Sequence, residues 1–289
     1  MEEIIYINGD LIPSYEAKLS PFDHGFLYGY GLFETMRAYN GTIFRLDRHL
    51  ARLYRSAKTL GIAFKPGSLD LQKACYDTLE ANKLTEARLR LTLSAGKGDM
   101  TPNLDTCSGI TVFIAARRLV PLPPESYQSG FSAVLSSLRR NSQSPLSQLK
   151  STCYLENVLA KQEAMAAGAD EALILNERGL VAEGSTSNIF LIKGKLLVTP
   201  SLKSGVLPGI TRETVLELAR YLGLEAVERE VQLDKLAEAK EAFLTNSILE
   251  IMPLTRFGNE PIGPGRPGAL TKQLMSTYKE LVDKETHLR

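Results

Sequence analysis

The chain has no tryptophan and only three cysteines in 289 residues. Cys75, Cys107 and Cys153 are widely spaced, odd in number and form no CxxC pair. Neither a disulfide scaffold nor a cysteine metal cluster is indicated, and reduced thiols of a cytoplasmic protein are the simplest reading. His24, His49 and His287 lie far apart without ligand spacing, so no metal site is expected. An excess of either charge is also missing. The 34 basic and 33 acidic residues leave a formal net charge of +1, which argues against nucleic acid or a membrane surface as partner. No apolar run approaches the ~18 residues that cross a bilayer. Met1-Glu2-Glu3-Ile4 lacks the basic and apolar regions of a signal peptide. What is present, 44% hydrophobic and 23% charged residues, is the balance of a soluble globular protein.

A chain of 289 residues exceeds the usual single-core size, so two domains are expected. Ile4 to Asn8 alternates as a strand and meets Asn8-Gly9, a hairpin dipeptide. Leu32 to Tyr39 reads as a second strand, turned by Asn40-Gly41 into Thr42 to Arg45. In 46–60, Leu46, Leu50, Leu53, Ala57 and Leu60 make one helical stripe, stopped by Gly61. A further helix is expected over 69–82. Residues 87–95 alternate cleanly, with Ala87, Leu89, Leu91, Leu93 and Ala95 on one face and Arg88, Arg90, Thr92 and Ser94 on the other. Gly109 to Ala116 reads as a buried strand. Pro121, Pro123 and Pro124 then mark a linker. Beyond it, strands are expected at 131–138, 171–175, 189–199, 225–231 and 241–245, and helices near 155–167, 211–222, 232–239 and 268–283. The fold class is α+β: a small N-terminal domain over 1–118, a Pro-rich linker over 119–126, and a larger β-rich domain over 127–289.

Three segments carry chemistry. Lys150 sits in Gln148-Leu149-Lys150-Ser151-Thr152-Cys153-Tyr154, where irregular chain gives way to helix. Glu183-Gly184-Ser185-Thr186 sets a carboxylate beside a hydroxyl-rich turn. Leu207-Pro208-Gly209-Ile210-Thr211-Arg212 reads as a loop entering a helix, where Gly209 permits close approach and free N–H groups make an anion seat. Pyridoxal phosphate (PLP) requires such parts: an amine, a phosphate cradle and an acid partner for its ring nitrogen. Taken singly, each has a blander reading: an exposed lysine, an ordinary helix cap, a solvated hairpin turn. Arg52, with Arg48 and Arg55, lies off the apolar stripe and alone reads as part of a solvated helix face.

In combination, and in order along nearly the whole chain, these segments resemble the class IV (fold type IV) PLP-dependent aminotransferases. That group holds branched-chain aminotransferases, D-amino-acid transaminases and aminodeoxychorismate lyases. Tyr6-Ile7-Asn8-Gly9, Phe33-Glu34-Thr35-Met36-Arg37, Phe44-Arg45-Leu46-Asp47-Arg48-His49-Leu50-Ala51-Arg52-Leu53 and Thr245-Asn246-Ser247 also belong to the match. The resemblance implies a two-domain fold type IV enzyme with PLP as cofactor, usually a homodimer. It would move an amino group between an amino acid and a 2-oxo acid such as 2-oxoglutarate by a ping-pong scheme. Lys150 would hold the cofactor through its amine and shuttle a proton at the substrate's Cα. Glu183 would face the ring nitrogen, and Arg52, the N–H groups of Ile210 and Thr211, the Thr211 hydroxyl and the Ser247 region would bind the phosphate. Tyr154 is implied as a neighbour, on the helical face of Lys150 if the helix starts that early. Ser185 and Thr186 are candidate cofactor contacts.

Substrate choice turns on 87–95. Branched-chain enzymes carry Tyr-x-Arg at the matching place, and this chain carries Arg88-Leu89-Arg90. Period two puts both guanidiniums on one face, suited to carboxylate binding, with a solvent-facing strand as the alternative. Phe33 stands where D-amino-acid enzymes carry tyrosine, so it joins the substrate candidates, and Ala95-Gly96 lacks their arginine. Asn157-Val158-Leu159-Ala160-Lys161 is similar to the D-amino-acid and lyase branches. A D-amino-acid transaminase with a rearranged carboxylate site is therefore the first expectation, a branched-chain L-amino-acid enzyme the second and aminodeoxychorismate lyase the third.

Overall fold

A computed structural model describes residues 2–64, 67 and 69–287. Its contacts divide the chain into two compact units: Met1–Val120 with Leu149–Cys153 and Val282–Arg289, and Pro121–Gln148 with Tyr154–Leu281. The lysine segment thus belongs to the first unit, although it lies between two stretches of the second. Residues 119–123 have no regular structure, and Pro124 opens a helix.

In the first unit the described strands are β1 (Ile4–Ile7), β2 (Asp10–Pro13), β3 (Gly31–Tyr39), β4 (Thr42–Ile43), β5 (Ala87–Ser94) and β6 (Thr111–Arg118). They form one sheet in the order β2-β1-β6-β5-β3-β4. Helices α1 (His24–Leu27), α2 (Leu46–Thr59) and α3 (Leu71–Ala81) accompany it. Both Asn-Gly pairs turn as expected, with positive φ at Asn8, Gly9, Asn40 and Gly41. The strand expected over Thr42 to Arg45 stops at Ile43, because Arg45 takes a left-handed conformation and caps α2. Leu46, Leu50, Leu53 and Ala57 of the α2 stripe are buried, while Leu60 is the half-buried C-cap, and Leu89, Leu91 and Leu93 of β5 are buried. Asp70 begins α3 two residues late, its carboxylate accepting from Lys73 N at 2.9 Å.

The second unit carries β7 (Phe131–Arg140), β8 (Glu171–Asn176), β9 (Val181–Gly184), β10 (Asn188–Lys193), β11 (Leu196–Pro200), β12 (Glu225–Arg229), β13 (Glu241–Asn246), β14 (Glu250–Phe257) and β15 (Glu260–Pro261). The sheet order is β12-β11-β10-β13-β14-β7-β8-β9, with β15 on β14. Its helices are α4 (Pro124–Ser129), α5 (Leu155–Ala166), α6 (Ile210–Tyr221), α7 (Lys235–Glu238) and α8 (Ala269–Thr286), the last turn of α8 grouping with the first unit. The single strand expected over 189–199 is two, folded at Gly194 with φ 65°. The helix expected over 232–239 shrinks to Lys235–Glu238. Strand β14 was not among the expected strands, and it contains Pro253. Pro253 pairs with Phe243 of β13, just before the β14–β7 ladder opens at Leu254, so that ladder does not need its missing N–H.

Candidate active site

The lysine segment is held by backbone pairing. Phe33 N donates to Lys150 O at 2.8 Å and Thr152 N to Gly31 O at 2.9 Å, with Ser151 bridged to Leu32. Lys150 is therefore fastened to the edge of β3, and its Nζ lies 4.6 Å from the centroid of the buried Phe33 ring. Arg90 Cζ lies 3.6 Å from the same centroid, so both cations use the ring's negative face. Registers Phe33–Thr92, Thr35–Arg90 and Arg37–Arg88 place Phe33, Arg37, Arg88 and Arg90 on one face of β3 and β5. Arg90 is half-buried there; Arg88 is exposed.

Alternation sends Glu34 to the opposite face, beneath α2. Arg52 Nε and Nη2 donate to its two carboxylate oxygens at 2.8 and 2.6 Å, and His49 Nδ1 lies 2.7 Å from Oε2. Arg52 is only 4% exposed, so the solvated-face reading fails for it, while Arg48 is half-buried and Arg55 exposed. Burial pushes the Glu34 carboxyl up, but the charge and hydrogen bonds of Arg52, with those of His49, outweigh it and hold the group at about 2. Burial pushes His49 down, against the pull of Glu34, so its imidazole stays neutral at neutral pH. Glu34 was not singled out from sequence, yet a signal was present: a carboxylate in the apolar phase of a strand, between Leu32 and Met36, needs a buried cation.

In the second unit Glu183 is buried at β9. Its Oε2 accepts from Leu207 N at 3.0 Å and Asn188 Nδ2 at 3.2 Å, and its Oε1 from Arg140 Nη2 at 3.2 Å. Asn188 Nδ2 also donates to Leu207 O at 3.0 Å. A Cβ on Gly209 would fall 2.0 Å from Asn188 Oδ1, so a larger residue at the N-cap of α6 would require the Asn188 amide or the first turn to shift. That cap brings no side-chain acceptor to the first turn, where Ile210 and Thr211 are buried. N–H groups without internal partners at a helix N-terminus form an anion seat. Ser247 follows β13 in a turn and is half-buried.

The turn after Glu183 is built around a carboxylate that sequence reading missed. Glu171 is buried and accepts from Ser187 Oγ at 2.8 Å, Ser185 N at 3.1 Å, Thr186 Oγ1 at 3.3 Å and, over a short contact, Ser185 Oγ. The hydroxyls of Ser185 and Thr186 therefore turn inward to Glu171. The Ser185 carbonyl accepts from Asn157 Nδ2 at 2.6 Å and Tyr154 Oη at 3.5 Å. Tyr154 is the N-cap of α5, not a residue one helical turn from Lys150, because the helix begins at Leu155. Glu171 left no local signal, since its partners lie 14 to 16 residues on.

Each unit by itself carries parts whose chemistry suits PLP: in the first an amine at Lys150 fixed by backbone pairing, and in the second a buried carboxylate at Glu183 and, at Gly209, a close backbone cradle opening a helix. Residues 31–257 match the amino-transferase class IV family. A putative branched-chain-amino-acid aminotransferase of Methanocaldococcus jannaschii is 39% identical over 97% of this chain and 96% of its own. An aminodeoxychorismate lyase of Bacillus subtilis is 38% identical over 98% and 96%. A D-alanine aminotransferase of Bacillus licheniformis stands further off, at 32% over 98% and 98%. The crystal structure of the T.th. branched-chain amino acid aminotransferase with pyridoxamine 5'-phosphate superposes with a TM-score of 0.91 at 34% identity, covering 98% of this chain and 94% of that one. The chain belongs to the class IV aminotransferase family. It is an enzyme of fold type IV, and the family's cofactor is PLP. The expectation of a D-amino-acid substrate finds no support among these relatives, since the branched-chain and lyase matches both exceed the D-alanine match.

Proposed function

We propose that this enzyme transfers the amino group of a branched-chain L-amino acid to a 2-oxo acid. Bound PLP supplies an electron sink for the substrate's Cα. Lys150 holds the cofactor and moves the proton at Cα. Glu183 accepts a hydrogen bond from the ring N–H and keeps that proton in place. The first turn of α6, with Thr211 and Ser247, seats the phosphate, and Arg52, fixed by Glu34, adds positive charge. Phe33 offers apolar surface to the substrate, and Arg90 receives its carboxylate. The carrying observation is the Lys150 amine held over the Phe33 ring by backbone pairing with β3. The names of the relatives support the substrate class.

A panel of D- and L-amino acids, offered singly to the holoenzyme, tests this. Branched-chain L-amino acids should bleach the visible band of lysine-bound cofactor, and a 2-oxo acid should restore it. Bleaching by D-amino acids alone would sink the substrate assignment. Lys150→Ala should remove both band and turnover, and turnover surviving in that variant would remove Lys150 from its role.

Lyase chemistry is the second reading, favoured by Asn157-Val158-Leu159-Ala160 after the lysine and by the 38% match to a lyase. Release of pyruvate from aminodeoxychorismate without added 2-oxo acid would decide for it. The family resemblance supports a homodimer, testable by light scattering. The three free cysteines support work in the reducing cytoplasm, which localisation of a tagged chain would check.

A further inference from the structure

We infer that Thr245 is a further anchor for the cofactor phosphate, acting through its buried hydroxyl; this rests on the PLP site proposed above. Thr245 is 1% exposed within β13, and its Oγ1 has no hydrogen-bond partner. A buried hydroxyl left unpartnered lowers stability, and each such case needs a reason. For the strand alone, valine would serve better at the same volume.

Position supplies the reason. Thr245 stands directly opposite Asn188 in the antiparallel β10–β13 ladder. Such partners project from the same face, with Cβ atoms about 5 Å apart. Asn188 is the residue whose Nδ2 reaches Leu207 O and whose Oδ1 closes the space beside Gly209. The Thr245 hydroxyl therefore stands on the face that carries the N-terminus of α6, a helix of 12 residues. The next pair on that face, Phe190 and Phe243, is apolar and stacked at 4.9 Å, so no partner lies further along the strand. A dianion at the first turn of α6 meets backbone N–H groups and the positive end of the helix dipole. Its oxygens accept several hydrogen bonds, and Thr245 is placed to donate one.

Thr245→Val keeps the shape and removes the donor. PLP loss from diluted holoenzyme, followed by the visible band, should show the apparent Kd rising roughly tenfold. The thermal midpoint of the apoenzyme should stay level or rise, because the hydroxyl has no partner there to lose. Inorganic phosphate should compete with PLP less well against the variant than against wild type, and Thr245→Ser should restore both affinities. A Kd within about twofold of wild type would show that the hydroxyl does not meet the phosphate. A lowered apoenzyme midpoint in both the Val and Ser variants would assign Thr245 a packing role instead. Thr211→Ala serves as control. If it weakens PLP while Thr245→Val does not, only the Thr245 assignment falls. If neither variant changes PLP affinity or phosphate competition, the seat at α6 falls with it.

Discussion

Arg88 and Arg90 look equivalent in a list of residues and are not equivalent in the sheet. Both occupy the same face of β5, but Arg90 lies on the Phe33 ring at 3.6 Å while Arg88 is exposed. A guanidinium stacked on an aromatic ring has its plane fixed, so less entropy is lost when it receives a carboxylate. A charge-assisted hydrogen bond of that kind is worth ~1.5–3 kcal/mol. Arg90→Ala should therefore raise KM for the amino acid by roughly ten- to a hundredfold. Arg88→Ala, at an exposed position, should stay within about twofold. Steady-state kinetics of the two variants check this. Equal effects would mean that position on the strand, and not stacking on Phe33, decides which arginine reads the substrate.

At the scale of elements, two devices aim the chain. Gly209 opens α6 where any side chain would strike Asn188, so Gly209→Ala must displace either the first turn or the Asn188 amide. Because Asn188 also donates to Glu183, the displacement reaches both the phosphate seat and the carboxylate. PLP affinity should fall at least roughly tenfold, read by equilibrium dialysis, although an N-cap substitution by itself costs only about 1 kcal/mol of helix stability. The second device is Glu171. Glu171→Gln replaces one accepting oxygen by a donor, so some of the Ser185–Ser187 donors lose their acceptor. A loss of about 2 kcal/mol in stability is expected, measurable by urea unfolding. An unchanged unfolding midpoint would show the turn to be self-supporting. Legibility divides along the same line. The Asn8-Gly9 and Asn40-Gly41 turns, the stripe of α2 and the alternation of β5 could be read because each is set by neighbours within a few residues. So could Gly209 as a close-approach position. Glu171, Asn188 and Arg140 could not, because their partners are brought by other strands of the sheet. Arg52 was read as a site residue only through family resemblance, and periodicity alone placed it wrongly in solvent.

For the molecule as a whole, the Glu34–Arg52–His49 cluster predicts how the fold meets acid. Glu34 titrates at about 2 in the folded state against an ordinary 4.5. A carboxyl depressed on folding contributes stability that is full above the unfolded value and disappears as pH falls through the folded one. Here that window runs from about pH 4.5 to about 2, and the contribution is of the order of 3 kcal/mol. His49 is also lowered, so it favours the fold above its unfolded value near 6.5 and loses that contribution as pH falls below it. Both terms have the same sign, and stability should begin to decline below about pH 6.5 and steepen below about 4.5. General charge repulsion acts in the same direction, since protonating the 33 acidic residues leaves 34 basic ones unopposed. Glu34→Gln separates the local cause from the general one. At neutral pH it leaves Arg52 buried without its carboxylate, at a cost of about 3–5 kcal/mol. In acid the wild type loses that carboxylate too. Urea unfolding at a series of pH values should therefore show the gap between wild type and variant widest at pH 7 and narrowing steadily towards pH 3. A gap independent of pH would place the acid sensitivity of this fold in its overall charge and not in the ion pair beneath α2.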